Sequence, residues 1–221
     1  MRTDAQPYPP VSAGADVEDF KNSLRSSIRE ARKLRSPRRR AEAGEALAHV
    51  IETIPEVAGA RCVSIYAARP SEPDTTALLD RLAARGVRVL LPVLGTGLQR
   101  DWAEYAGYAD LLQRAPGRPP EPSTPGLGAA ALADADVVVA PALAIDSNGT
   151  RLGQGGGWYD RVLENLRPGV QVIGVVFPEE LYDATVRPLP RQAHDHPVDA
   201  VATPQGWHML RPAGSALTDA P

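Results

Sequence analysis

The sequence predicts an α/β fold, a single domain on a mainly parallel sheet with helices on both faces. Short apolar runs at 61–66, 87–93, 137–143, 171–177 and 198–203 alternate with segments of helical period, the pattern of strands covered on both sides. A chain of 221 residues, 43% hydrophobic and 23% charged, can bury one sizeable core. Its formal net charge of −3 gives no global pull toward nucleic acid or a membrane surface.

Taken in order, residues 1–19 are expected to be a disordered lead, rich in Pro, Ala and Asp and without the apolar run of a secretory signal. Folding is expected over 20–206. In the first helix Leu24, Ile28 and Ala31 form an apolar stripe, while Lys21, Arg25, Arg29 and Lys33 recur every four residues beside it. Ser36 before Pro37 reads as an N-cap and first position of a second helix, running to about 54 with Leu47, Val50 and Ile51 inward. Asp74 can cap a third helix over 75–85, which Gly86 ends. Residues 95–126, with Pro116, Pro119, Pro120 and Pro122, read as a long loop with one short ribbon. The apolar lead-in to the next loop runs from Val137 to Ile145, and a helix is expected over 159–166. Residues 207–221 are expected to be a loose tail. No segment reaches the ~20 apolar residues of a membrane span. Cys62 is the one cysteine, which excludes an internal disulfide and fits a buried, inert thiol in the cytoplasm.

In such sheets ligands bind beyond the carboxyl ends of the strands, so the loops after Tyr66, Val93, Ile145 and Phe177 are expected to meet. The third of these is the most informative stretch. Gly153, Gly155, Gly156 and Gly157 fall within five residues, preceded by Arg151 and followed by Trp158, Tyr159, Asp160 and Arg161. Glycines let such a loop bend sharply and turn bare N–H groups toward an anion, and a following helix adds its own. The arginines add charge, Asp160 offers an oxygen ligand for Mg²⁺, and the aromatics suit a planar ring beside phosphates. The same glycines also suit a ligand-free strand-to-helix turn. No Gly-Lys-Ser/Thr ends the loop, so it is not a Walker A motif, and the aromatics depart from the dinucleotide fingerprint.

Between Phe20 and Arg40 stand nine Lys or Arg against one acid, Glu30. This is a solvated face or a helix that carries cations to the phosphate loop; nucleic-acid binding would want a broader basic excess with interleaved aromatics. Glu72 is a loop acid, part of a cap, or an acceptor for paired N–H donors of a heterocycle. His194, Asp195 and His196 lack further Cys or His for zinc, whereas Asp195 with Asp160 suits Mg²⁺, directly or through a second shell.

In these motifs the chain resembles the 5-formyltetrahydrofolate cyclo-ligase (5,10-methenyltetrahydrofolate synthetase) family. The resemblance rests on Lys21-Asn22-Ser23-Leu24-Arg25 with Arg29, Arg32 and Arg39, on Glu72-Pro73-Asp74-Thr75, and on Val89 to Val93 and Pro120-Glu121-Pro122. It rests above all on 148–161, similar to the Arg-Leu-Gly-x-Gly-Gly-Gly-aromatic-Tyr-Asp-Arg signature, with Gln192 to Asp195 and Val198 to Thr203 after it. It implies an ATP- and Mg²⁺-dependent ring closure of 5-formyltetrahydrofolate to 5,10-methenyltetrahydrofolate, with release of ADP and phosphate. By position it implies ATP contacts from Lys21, Asn22, Ser23, Leu24 and Arg25, and from Arg151, Leu152, Gly153, Gln154, Gly155, Gly156, Gly157, Trp158 and Tyr159. Arg151 and Tyr159 carry the catalytic expectation, Ala67, Glu72 and Trp158 the folate contacts, and Asp160 and Asp195 the metal. Trp158 stands where relatives commonly have Tyr or Phe, and Gln192 where Glu is frequent. A monomer acting on small molecules is expected, with no nucleic acid or membrane partner. The alternatives are a non-catalytic nucleotide- or folate-binding protein and a sugar-phosphate enzyme.

Overall fold

The strand β1 (Cys62–Ser64) is buried on both sides: Val63 and Ile65 join one core, Cys62 the other. That places it centrally, as expected of a run without polar alternation. The computed structural model describes residues 6–9, 16–94 and 99–210; the rest of the lead and the tail at 211–221 lie outside them. Around β1 the sheet adds β2 (Arg88–Leu94), β3 (Arg100–Glu104), β4 (Val137–Pro141), β7 (Gln171–Val175), β9 (Ala200–Thr203) and β10 (Gly206–Met209). The seven-stranded order is β10-β9-β7-β4-β1-β2-β3. The five inner strands are parallel, and β3 and β10 close the edges antiparallel. After β2 the chain crosses to the other side of β1 to form β4, which opens a crevice at the carboxyl ends of β1 and β4.

One face is covered by α2 (Pro37–Glu52), α3 (Pro55–Ala58) and α4 (Thr76–Ala84), through Leu47, Ile51, Val57, Leu78 and Leu82. The other carries α5 (Trp158–Val162) and 3₁₀ turns at Ala129–Asp134 and Leu163–Asn165. A smaller sheet, β6 (Arg151–Leu152), β5 (Ala144–Asp146) and β8 (Leu181–Tyr182), packs with α1 (Val17–Lys33) through Leu24, Ile28, Leu143 and Leu152. Among the described residues no helix is long and apolar enough to cross a membrane.

Several expectations are corrected. The apolar run from Val137 to Ile145 belongs to two sheets: the Ala142 N–H still reaches Val175, but that of Leu143 bonds the Leu152 carbonyl at 2.8 Å. The 95–126 loop contains the edge strand β3, anchored by the fully buried Trp102. The helix expected over 159–166 stops at Val162, where the chain tightens into a 3₁₀ turn closed by Leu166 N–H on the Leu163 carbonyl. Five residues carry little macrodipole, so the helix adds less to anion binding than expected. The first residues of the expected 207–221 tail belong to a strand over Gly206–Met209, with the Trp207 indole bonded to Thr53 Oγ1. Within the lead, Tyr8 packs on Phe20 and Tyr182 at ring-centroid distances of 5.6 and 5.5 Å. Helix α1 also starts earlier than residue 20, at Val17, capped by the Asp16 carboxylate.

Candidate active site

The buried face of α1 combines apolar and cationic residues: Lys21, Leu24, Arg25, Ile28 and Arg32. Its spacing sends Lys21 and Arg25, four residues apart, toward the crevice and Leu24 and Ile28 into the core. The same geometry keeps three of the expected nucleotide-contact positions off the crevice wall. Leu24 is wholly buried in the core, and Asn22 and Ser23 point outward, so none of the three lines the crevice. Asn22 instead accepts a hydrogen bond from Arg25. Arg32 lies deeper, with Nε and Nη2 each 2.7 Å from a Glu180 oxygen, and Nη2 also donates to the Ala142 carbonyl. That pair binds α1 to the turn after Phe177, which holds the helix from behind and does not itself reach the crevice.

The crevice, a cavity of about 280 Å³, is lined by Tyr66 and Ala67 after β1, Pro92 to Leu94 of β2, Pro141 of β4, and the glycine loop. All the other expected site residues meet there: Lys21, Arg25, Ala67, Glu72, every position from Arg151 to Asp160, and Asp195. Gly155 is required by its backbone: its φ of +102° is one that side chains rarely adopt, and the Arg25 guanidinium lies beside it, while a Cβ at Gly153 would stand 3.0 Å from the movable end of Arg151. Arg25 Nε donates to the Gly153 carbonyl and Arg29 Nη2 to that of Gln154, so α1 clasps the loop from one side. Burial, then the adjoining Arg25, Arg69 and Arg32, lowers the pKa of Arg29, the mark of a crowded cationic wall.

Arg151 is buried; its Nη2 lies 2.5 Å from Asp160 Oδ1, and its Nε has no partner among the described residues. The guanidinium sits 5.8 Å from the ring centre of Tyr159, whose buried hydroxyl is also without a partner. Burial pushes that phenol far above its usual range, with Glu72 adding to the shift and Arg151 opposing it. Tyr159 is therefore a neutral O–H donor at any working pH. On the opposite wall Lys21 Nζ lies 2.5 Å from Asp195 Oδ2 and 3.0 Å from Gln192 Oε1. Burial alone would raise the Asp195 carboxyl, but Lys21 and the Gln192 N–H outweigh it and hold it below its usual 3.8.

Glu72 is 5% exposed; its carboxylate takes the Arg69 guanidinium, the Arg69 N–H and the Gln154 amide. Asp160 and Asp195 each face a cation. Among the described residues no three His, Cys, Asp or Glu side chains converge as a metal cage. Two carboxylates beside a phosphate-sized cavity still suit Mg²⁺, which keeps waters and takes phosphate oxygens rather than an all-protein cage. Trp102 was not anticipated: its ring stands edge-to-face on Trp158 at 5.0 Å and fixes that wall. Arg69 was also missed, although an arginine three residues before Glu72 is a readable signal for an ion pair across a turn.

A family model described as the 5-formyltetrahydrofolate cyclo-ligase family matches residues 17–204. A 5-formyltetrahydrofolate cyclo-ligase of Mycolicibacterium smegmatis is 41% identical over 150 residues, 66% of this chain and 74% of the relative. One of Escherichia coli is 32% identical over 180 residues, 80% and 96% of the two chains. The solution structure of a 5,10-methenyltetrahydrofolate synthetase from Aquifex aeolicus superposes with a TM-score of 0.72 at 26% identity, covering 90% of this chain and 97% of the other. A synthetase from Mycoplasma pneumoniae, at 16% identity and a TM-score of 0.64, shares the fold. With its signature loop, cationic wall and Glu72 gathered in one crevice, the chain belongs to the 5-formyltetrahydrofolate cyclo-ligase family and is a ligase of folate metabolism.

Proposed function

We propose that this chain uses Mg-ATP to cyclise 5-formyltetrahydrofolate to 5,10-methenyltetrahydrofolate, releasing ADP and phosphate. The observation that carries the reading is one crevice shared by a glycine loop bearing buried Arg151 and by the buried carboxylate of Glu72. The formyl oxygen attacks the γ-phosphorus and ADP leaves. The phosphorylated imidate is then attacked at carbon by N10, which gives up its proton, and phosphate departs. Neither step needs a nucleophile from the protein; both need alignment and charge neutralisation.

Lys21, Arg25 and the loop from Arg151 to Gly157 hold the phosphates, and Arg151 offsets charge on the group in flight. Tyr159 donates its free O–H to a phosphoryl or formyl oxygen. Glu72 accepts N–H groups of the pterin, Ala67 supplies the backbone beside it, and Trp158 walls the ring. Asp160 and Asp195 would hold Mg²⁺, which neutralises phosphate charge when bound. A monomer is proposed because one chain supplies both halves of the crevice. The cytoplasm is proposed because a chain with one cysteine makes no internal disulfide, which fits a reducing compartment.

The test mixes purified protein with 5-formyltetrahydrofolate and Mg²⁺, with and without ATP, and follows methenyltetrahydrofolate by absorbance and ADP by coupled assay. Product and ADP are expected in equal amounts and only with ATP. Folded protein that binds both ligands and makes no product would leave a non-catalytic binding protein as the reading.

A further inference from the structure

Gln154 stands between two glycines of the loop, and its side chain is bonded to both walls of the crevice. Its Nε2 donates to Glu72 Oε1 at 3.0 Å, and its Oε1 accepts from Arg29 Nε and Nη2 at 3.2 and 3.1 Å. A carboxylate oxygen has two lone pairs. Oε1 of Glu72 is filled by Arg69 Nη2 at 2.7 Å and by Gln154; among the described residues Oε2 holds only the Arg69 N–H at 3.0 Å. A heterocycle that offers two parallel N–H groups needs one open site on each oxygen.

We propose that Gln154 occupies the folate seat of the ligand-free protein, and that an arriving pterin must displace it to bind Glu72 on both oxygens. Gln154 yields rather than Arg69 because a neutral amide holds a carboxylate less strongly than a guanidinium does. Its departure unties the glycine loop from Glu72 while Arg29 keeps the backbone at the Gln154 carbonyl. Gly153 and Gly155 on either side let the segment turn toward nucleotide phosphates. Gln154 is thus a positioning residue that links the folate seat to the phosphate loop. This rests on the folate reading of the crevice.

The test titrates 5-formyltetrahydrofolate into the full chain without nucleotide, for wild type, Gln154→Leu and Gln154→Ala. It then titrates a non-hydrolysable ATP analogue with and without folate. Both variants are expected to bind folate about three- to tenfold more tightly, because the bond to be broken is gone. In wild type folate is expected to tighten the analogue, and in the variants that tightening is lost. A merely structural glutamine would weaken both ligands on removal. Unchanged or weaker folate binding in both variants, with wild type still turning over, overturns this inference alone. Wild type that binds no folate overturns the folate reading and this inference with it.

Discussion

Arg151 and Glu72 are both buried charges in one crevice, but chemistry asks different things of them. Arg151 touches Asp160 and the Tyr159 ring and still has an unpartnered Nε, so it can answer charge that appears during phosphoryl transfer. Arg151→Ala should therefore lower kcat by about a hundredfold or more, as loss of a transition-state donor does, while the folate Kd changes less than about threefold. Equal losses in both, measured by steady-state kinetics and by titration, would remove it from the transferring group. At this scale the sequence was legible where one residue type has one use. The loop glycines, Arg151, Asp160, Lys21 and Asp195 all line the crevice. The contact between Gln154 and Glu72 was not legible, because 82 residues separate the two and only the fold brings them together.

The helix α1 is the element on which the crevice depends, since one face must satisfy the core and the other the site. Leu24 and Ile28 anchor it, and the pair of Arg32 with Glu180, 1% and 2% exposed, fixes it to the turn after Phe177. Arg32→Met should cost about 3–5 kcal/mol in urea unfolding, because it strands a buried carboxylate, and Arg32→Met with Glu180→Gln should recover part of that loss. A single-variant cost under about 1 kcal/mol would mean that the pair does not fasten the helix. The helix α1 was readable from its period but not its start, and α2 and α4 from period and caps together. The edge strand β3 was not, because Trp102 and Ala103 are its only buried residues and an edge needs no alternation. The strands β6 and β8 span two residues each, too short to leave a period in the sequence.

For the molecule as a whole, acid stability is set by carboxylates that folding holds charged. Against the cost of its burial, Lys21 and the Gln192 N–H lower Asp195; the Arg61 and Cys62 N–H groups lower Asp136. A carboxyl held below its unfolded value of 3.8 contributes stability that is present above that pH and is lost as pH falls through the folded value. Asp195→Asn should then be less stable than wild type at neutral pH, with the gap closing as pH drops below about 4 in urea titrations. A gap that stays constant down to pH ~2 would mean that Lys21 is not what holds this carboxyl charged. The parallel order and the crevice beyond Tyr66, Val93 and Ile145 followed from alternating apolar runs, although the turn after Phe177, expected there too, lies behind α1; the second sheet did not, because it begins inside one of those runs. The edge-to-face stack of Trp102 on Trp158 has an optical consequence. Of three tryptophans, two are coupled at the crevice wall and the third, Trp207, lies on the far edge strand. Two of the three indoles that absorb therefore stand at the crevice wall, and if a pterin seats against Trp158 as proposed, intrinsic fluorescence should change on folate titration without any dye being attached.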